Sequence, residues 1–206
     1  MLLFGGQSKM PDLLCTLKEL IASQVPIHST TEGDSSRSVT LQELDIRKDP
    51  ISQEVIETRV VSSVTIDNLP ERAFVFRADA FPQPQALFDS VFSYVRKRAD
   101  YILLANESGK KRIVYIEMKK EKDSEDGIIA QLKGAACVMD YCKAVLTRFF
   151  EISGCFIGAE ERFVSLSGTT GKRSTHPDRN ALLHDSPERL LKLKGHSFSY
   201  RELIRR

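Results

Sequence analysis

The chain has 206 residues, 41% of them hydrophobic, and 30 basic against 28 acidic side chains give a formal net charge of +2. A chain of this length fits one domain, or one domain with an appendage, and buries about 70% of its extended surface, so it needs neither metal nor disulfide merely to fold. Charge alone makes no case for nucleic acid, any basic surface must come from local segregation, and no apolar run approaches the ~20 residues of a membrane span.

Met1-Leu2-Leu3-Phe4-Gly5-Gly6 lacks the basic leader of a secretory signal. Cys15, Cys137, Cys142 and Cys155 are scattered without a C-x-x-C pair. Two disulfide pairings stay open on counting alone, but the favoured reading is buried thiols in a reducing cytoplasm. The expected location is cytoplasmic. His176 and His184 lack the i, i+4 relation of helical metal ligands.

In chain order, Leu13, Leu14, Leu17, Leu20 and Ile21 recur at helical spacing after Pro11, which suits a first turn. Ser29 to Ser36 is polar and aperiodic and reads as a loop. Residues 1–50 are therefore expected to form an N-terminal helix and polar loop, an arm for a partner, ahead of a catalytic-type domain over 51–206. Val55 to Ile66 is rich in β-branched residues and predicts a strand. Asn68-Leu69-Pro70-Glu71 predicts a turn, Ala73 to Phe76 a second strand, and Pro82 and Pro84 a break.

The next segment is the most informative. Ala99 to Leu104 is an apolar run opened by an acid, Asn106 to Lys110 a turn, and Arg112 to Lys119 a second β-rich run. Ile128, Leu132, Ala135, Met139, Cys142 and Leu146 then form one stripe of a long helix, capped by Asp123 or Ser124. Gly154 to Ile157 and Arg162 to Leu166 predict strands, Gly168 to Asn180 a polar loop, and Leu190 to Leu193 a last strand.

Alternation along the second run puts Ile113, Tyr115, Glu117 and Lys119 on one face. A turn centred between Ser108 and Gly109 makes partner numbers sum to 217, so Asp100 faces Glu117 with Cβ atoms roughly 5 Å apart. A slip of one residue destroys that arrangement. Two carboxylates so close call for a cation between them. A hard divalent ion, Mg²⁺ by preference, suits oxygen ligands, and Lys119 adds positive charge beside a scissile phosphate.

Asp100, the hairpin, Glu117-Met118-Lys119 and the following helix with Gln131-Leu132 together resemble the PD-(D/E)XK nuclease superfamily over about Phe88 to Leu146. The resemblance implies an α/β fold, a mixed central sheet flanked by helices in an αβββαβ core, with the Asp100 and Glu117 strands central. It implies Asp100 and Glu117 as Mg²⁺ ligands (Mn²⁺ as substitute), the Met118 backbone carbonyl in the metal shell, Lys119 assisting the attacking water and Gln131 beside the site. Ala99 stands where many members carry Pro, and Glu54, Glu57, Asp79 and Asp89 are open candidates for an upstream acid.

The expected activity is metal-dependent phosphodiester hydrolysis, on DNA in preference to RNA, with a role in restriction or antiviral defence suggested by the resemblance alone. The alternative is a catalytically inactive subunit of the same fold that binds nucleic acid or a protein. Lys120, Lys122 and Lys133 are the candidate nucleic-acid contacts, and either a homodimer or a partner subunit is compatible. Arg96, Lys97, Arg98, Lys110, Lys111 and Arg112 extend the basic character around the hairpin. The structural alternative is an exposed hairpin in which Glu117 and Lys119 are a solvated charge pair and Asp100 caps a strand end. Tyr101, Tyr115 and Phe92 are either base-stacking or buried. Gly168 to Ser174 only superficially resembles a phosphate loop, its Gly-to-Gly-Lys spacing being too short.

Overall fold

The computed structural model describes residues 13–21, 27–28, 31–32, 37–49, 52, 55–81, 90–119, 124–152, 154, 156–168 and 183–205. Lys120 and Lys122, the prolines at 82 and 84, and residues 169–180 of the expected polar loop lie outside them. The elements run α1 (Leu13–Ile21), β1 (Ile27–His28), β2 (Thr31–Glu32), β3 (Arg37–Lys48), β4 (Val55–Leu69), β5 (Arg72–Arg77), a 3-10 segment (Ser90–Arg96), β6 (Tyr101–Glu107), β7 (Lys110–Met118), α2 (Glu125–Phe149), β8 (Glu160–Ser167), β9 (Leu191–Lys194), β10 (Ser197–Ser199) and α3 (Tyr200–Ile204).

The strands form two mixed sheets, one ordered β1-β5-β6-β7-β8-β9 and the other β10-β4-β3-β2. The fold is therefore α/β, and β6 and β7 lie at the centre of the larger sheet. β5, β6 and β7 make an antiparallel meander. α2 then carries the chain to β8, which runs parallel to β7, and β9 runs parallel to β8. Alternation along the central strands supplies both faces. Ile102, Leu104, Ile113 and Tyr115 pack with the α2 stripe and with Leu17 and Ile21 of α1. Leu103, Val114, Ile116 and Met118 pack instead with Val39, Leu41, Val64 and Ile66 of the smaller sheet. The larger sheet is thus buried on both sides, which explains the nearly unbroken apolar runs of β6 and β7.

α2 starts where its chemistry places it: the Ser124 hydroxyl accepts from the Gly127 N–H, and Glu125 and Asp126 fill the first turn. Ser108 and Gly109 both have positive φ at the β6–β7 turn, and the Asn106 side chain accepts from the Gly109 N–H.

Three expectations are corrected. The boundary near residue 50 falls inside a hairpin, because β3 before it pairs with β4 after it, and Leu17, Ile21, Val39 and Leu41 from before it are buried in the two cores. The described residues of 154–157 form a turn rather than a strand, since Gly154 and Phe156 both have positive φ. Cys137 is exposed while Cys142 is buried, both being free thiols. No described helix is long and apolar enough to cross a membrane.

Candidate functional site

The β6–β7 register sums to 217 throughout, from Glu107↔Lys110 to Tyr101↔Ile116. Extended one step beyond that last pair, the same sum sets the Asp100 position against the Glu117 position. The Asp100 backbone carbonyl accepts from the Ala78 N–H at 2.9 Å, continuing the β5 ladder. Its carboxylate Oδ2 accepts from the Met118 N–H at 2.7 Å. Lys119 donates its own N–H the other way, to the Leu166 carbonyl of β8 at 2.7 Å. Asp100 therefore does cap the strand end, but from within the fold. Glu117 is 3% exposed, which excludes a solvated Glu117–Lys119 pair.

Burial pushes the Asp100 carboxyl up to about 7. The Met118 N–H pulls the other way, and the nearby charges of Asp79 and Glu43 raise it further. Of the upstream acids, Asp79 is the one whose charge acts on Asp100, and a bidentate pair with Arg77 holds it there. Glu57 lies on the exposed part of β4, and Glu54 and Asp89 are outside the described residues. Glu43 carries no sequence signal for this site. It arrives from β3 through tertiary packing.

α2 reaches the same corner. The Gln131 carbonyl accepts from the Ala99 N–H at 2.8 Å, which sets its second turn beside Asp100. A Cβ on Gly134 would stand 1.8 Å from the Lys97 carbonyl oxygen, so only glycine admits this crossing.

Continuing across the sheet, Glu117 pairs with Ser165 and Ser165 with Lys192, so one row reads Asp100, Glu117, Ser165, Lys192. Lys192 and Lys194 alternate with Leu191 and Leu193, which face the other core. The Lys192 ammonium reaches the Glu125 carboxylate on α2 at 2.5 Å and, with a smaller contribution from Lys119, holds that acid below its usual range. Lys119, Lys192 and Lys194 thus gather where parallel strands β7, β8 and β9 end, the usual ligand position in α/β sheets. Sequence reasoning missed Lys192 and Lys194: their alternation is legible, but alignment of β9 with β8 is a property of topology.

Other expected residues separate from the site. Lys110, Lys111 and Arg112 lie at the turn end of β7, about 17–23 Å from Glu117 at roughly 3.3 Å per strand residue. Arg112 is largely buried and ion-paired with Glu107 and Glu160. Lys133 pairs with Glu188 at 2.7 Å on the surface. Tyr101 and Tyr115 are buried and cannot stack a base, whereas Phe92 is exposed and meets Tyr94 edge-on.

Among the described residues no three Asp, Glu, His or Cys side chains form a group able to hold a metal ion by themselves. An ion held by Asp100 and Glu117 would need main-chain, water or substrate oxygens to complete its shell, which is ordinary for Mg²⁺ and unusual for Zn²⁺. Comparison with protein-family models, with curated proteins and with solved structures gives no match.

Proposed function

We propose that the chain is a divalent-metal-dependent phosphodiesterase acting on nucleic acid, DNA in preference to RNA. The observation that supports this reading is the β6–β7 register, whose constant sum of 217 extends to Asp100 and Glu117, with Lys119 just beyond them at the end of β7. The meander, α2 and parallel β8 support it, as does the placing of Gln131 against Ala99. The donor set fits the ion: two carboxylates of hard oxygen character, one of them pushed up to about 7 in a corner with further negative charge.

Asp100 and Glu117 would hold Mg²⁺, or Mn²⁺ in its place, with the Met118 carbonyl as a main-chain donor. The ion supplies charge neutralisation at a phosphoryl oxygen and a more acidic bound water. Lys119 stabilises charge developing on the phosphate, and Gln131 orients the attacking water. Lys192 and Lys194 attract the phosphate backbone along the same strand ends.

The test is incubation of purified protein with linear, circular and single-stranded DNA and with RNA, with Mg²⁺, Mn²⁺ or a chelator. Cleavage is expected only with metal, and Glu117→Gln and Lys119→Ala are expected to lose on the order of 10²-fold or more of it while keeping the wild-type circular dichroism spectrum. Wild-type cleavage by Lys119→Ala overturns the proposal. Metal-independent binding without cleavage favours the alternative, a nuclease-like fold that serves as a binding subunit.

A further inference from the structure

We propose that the outer half of β4 docks a second copy of this chain, the two strands pairing antiparallel about a two-fold axis through Thr58. β3 and β4 run on past the body as a two-stranded ribbon. From Val55 to Val61 every residue of β4 is exposed, including Val55 (57%), Ile56 (59%), Val60 (48%) and Val61 (45%), while Val64, Ile66 and Leu69 are buried in the smaller sheet. Two-stranded ribbons are marginal in water, and an open edge with exposed branched residues is a template for another strand.

That edge is open among the described residues. β10 pairs with Thr65, Ile66 and Asp67, Gly168 and His196 lie against Ser62 and Ser63, and among the described residues no strand joins β4 over 55–61 on the side away from β3. The register to β3 shifts at Val61 and again at Ile56, so the regular stretch presented at the edge is Glu57 to Val60, held by its pairing with Leu44 to Arg47.

The identity of the partner follows from the segment Val55-Ile56-Glu57-Thr58-Arg59-Val60-Val61. Antiparallel self-pairing about Thr58 opposes residues whose numbers sum to 116. Glu57 then meets Arg59 and Thr58 meets Thr58 within the regular stretch, with Ile56 beside Val60 and Val55 beside Val61 at its irregular ends. Each is a favourable cross-strand pair: aliphatic with aliphatic, acid with base, hydroxyl with hydroxyl. The two-fold writes every pair twice except Thr58 with Thr58, which lies on the axis, as an isologous interface requires. A different partner would have to supply its own complement to this pattern, whereas a second copy carries it already.

The charge pair makes the test. Glu57→Arg alone sets two positive side chains against each other at both symmetric positions, and Arg59→Glu alone sets two negative ones. In a one-to-one mixture of the two variants every facing pair is again opposite in sign. Sedimentation velocity across a concentration series is expected to show wild-type dimerisation, weakening by on the order of tenfold to a hundredfold in each single variant, and recovery in the mixture. Circular dichroism checks that both variants are folded. A wild type that stays monomeric to its solubility limit overturns the proposal. So do folded single variants that dimerise like wild type, or a mixture that fails to recover. Nuclease activity plays no part in these readouts.

Discussion

At residue scale, Asp100 and His184 are two of several titratable groups held away from their ordinary ranges. Asp100 is raised by burial, and its Oδ2 serves as an acceptor for the Met118 N–H. An amide keeps that acceptor without the charge, so Asp100→Asn is expected to raise the melting temperature at pH 8 in chelator while abolishing metal-dependent cleavage. Differential scanning fluorimetry beside the cleavage assay checks both. His184 is 1% exposed, and one ring nitrogen lies 2.7 Å from the Leu203 carbonyl. Burial lowers its pKa below the usual value near 6.5. The unfolded chain therefore takes up a proton first as pH falls, so the stability from a neutral His184 is present above about 6.5 and lost below it. Relative to His184→Gln, wild type is expected to lose stability in melting curves taken from pH 7.5 down to 5, a comparison that cancels the opposite contribution of Asp100, which gains stability as pH falls. Neither environment was legible in sequence: Asp100 reads as the polar opening of a strand, and His184 as one residue of a polar stretch.

At element scale the central hairpin and α2 carry the most local information. Ser108-Gly109 fixes the turn, alternation fixes the faces, and a stripe of seven buried side chains fixes the helix. β3 was missed for a local reason. Val39 and Leu41 alternate inward over too short a stretch to mark a twelve-residue strand, and the extra residues of its irregular pairing, Ile56 and Val61, lie in β4. The strand is held by its pairing with β4. The close pass of residues 97–99 over α2 depends on a single missing methyl. Gly134→Ala is expected to cost a few kcal/mol, on the scale of overpacked cores, and to reduce cleavage by displacing Ala99 and thus Asp100. Urea unfolding and the nuclease assay check these together. Ser124→Ala, which removes only the cap of α2, is expected to cost about 1 kcal/mol.

At the scale of the whole molecule, the larger sheet is a shared wall between two apolar cores. Leu132 of α2 belongs to one and Leu41 of β3 to the other, both fully buried. Because the same strands line both, Leu132→Ala and Leu41→Ala are each expected to lower one cooperative transition by about 2–5 kcal/mol rather than to split it, as calorimetry would show. Long-range placement of this kind is what the sequence conceals. Lys192 meets Glu117's row, and Glu43 meets Asp100, only after separate segments have packed. The Tyr101 hydroxyl has a further consequence. It donates to the Gln42 carbonyl at 2.6 Å and accepts from the Gln42 N–H at 3.0 Å, acting toward β3 as another strand's peptide group would. Asp100 immediately precedes it. A single phenol thus rivets the ribbon's root to the residue beside the acidic corner, and strain imposed at the far tip has a mechanical route inward.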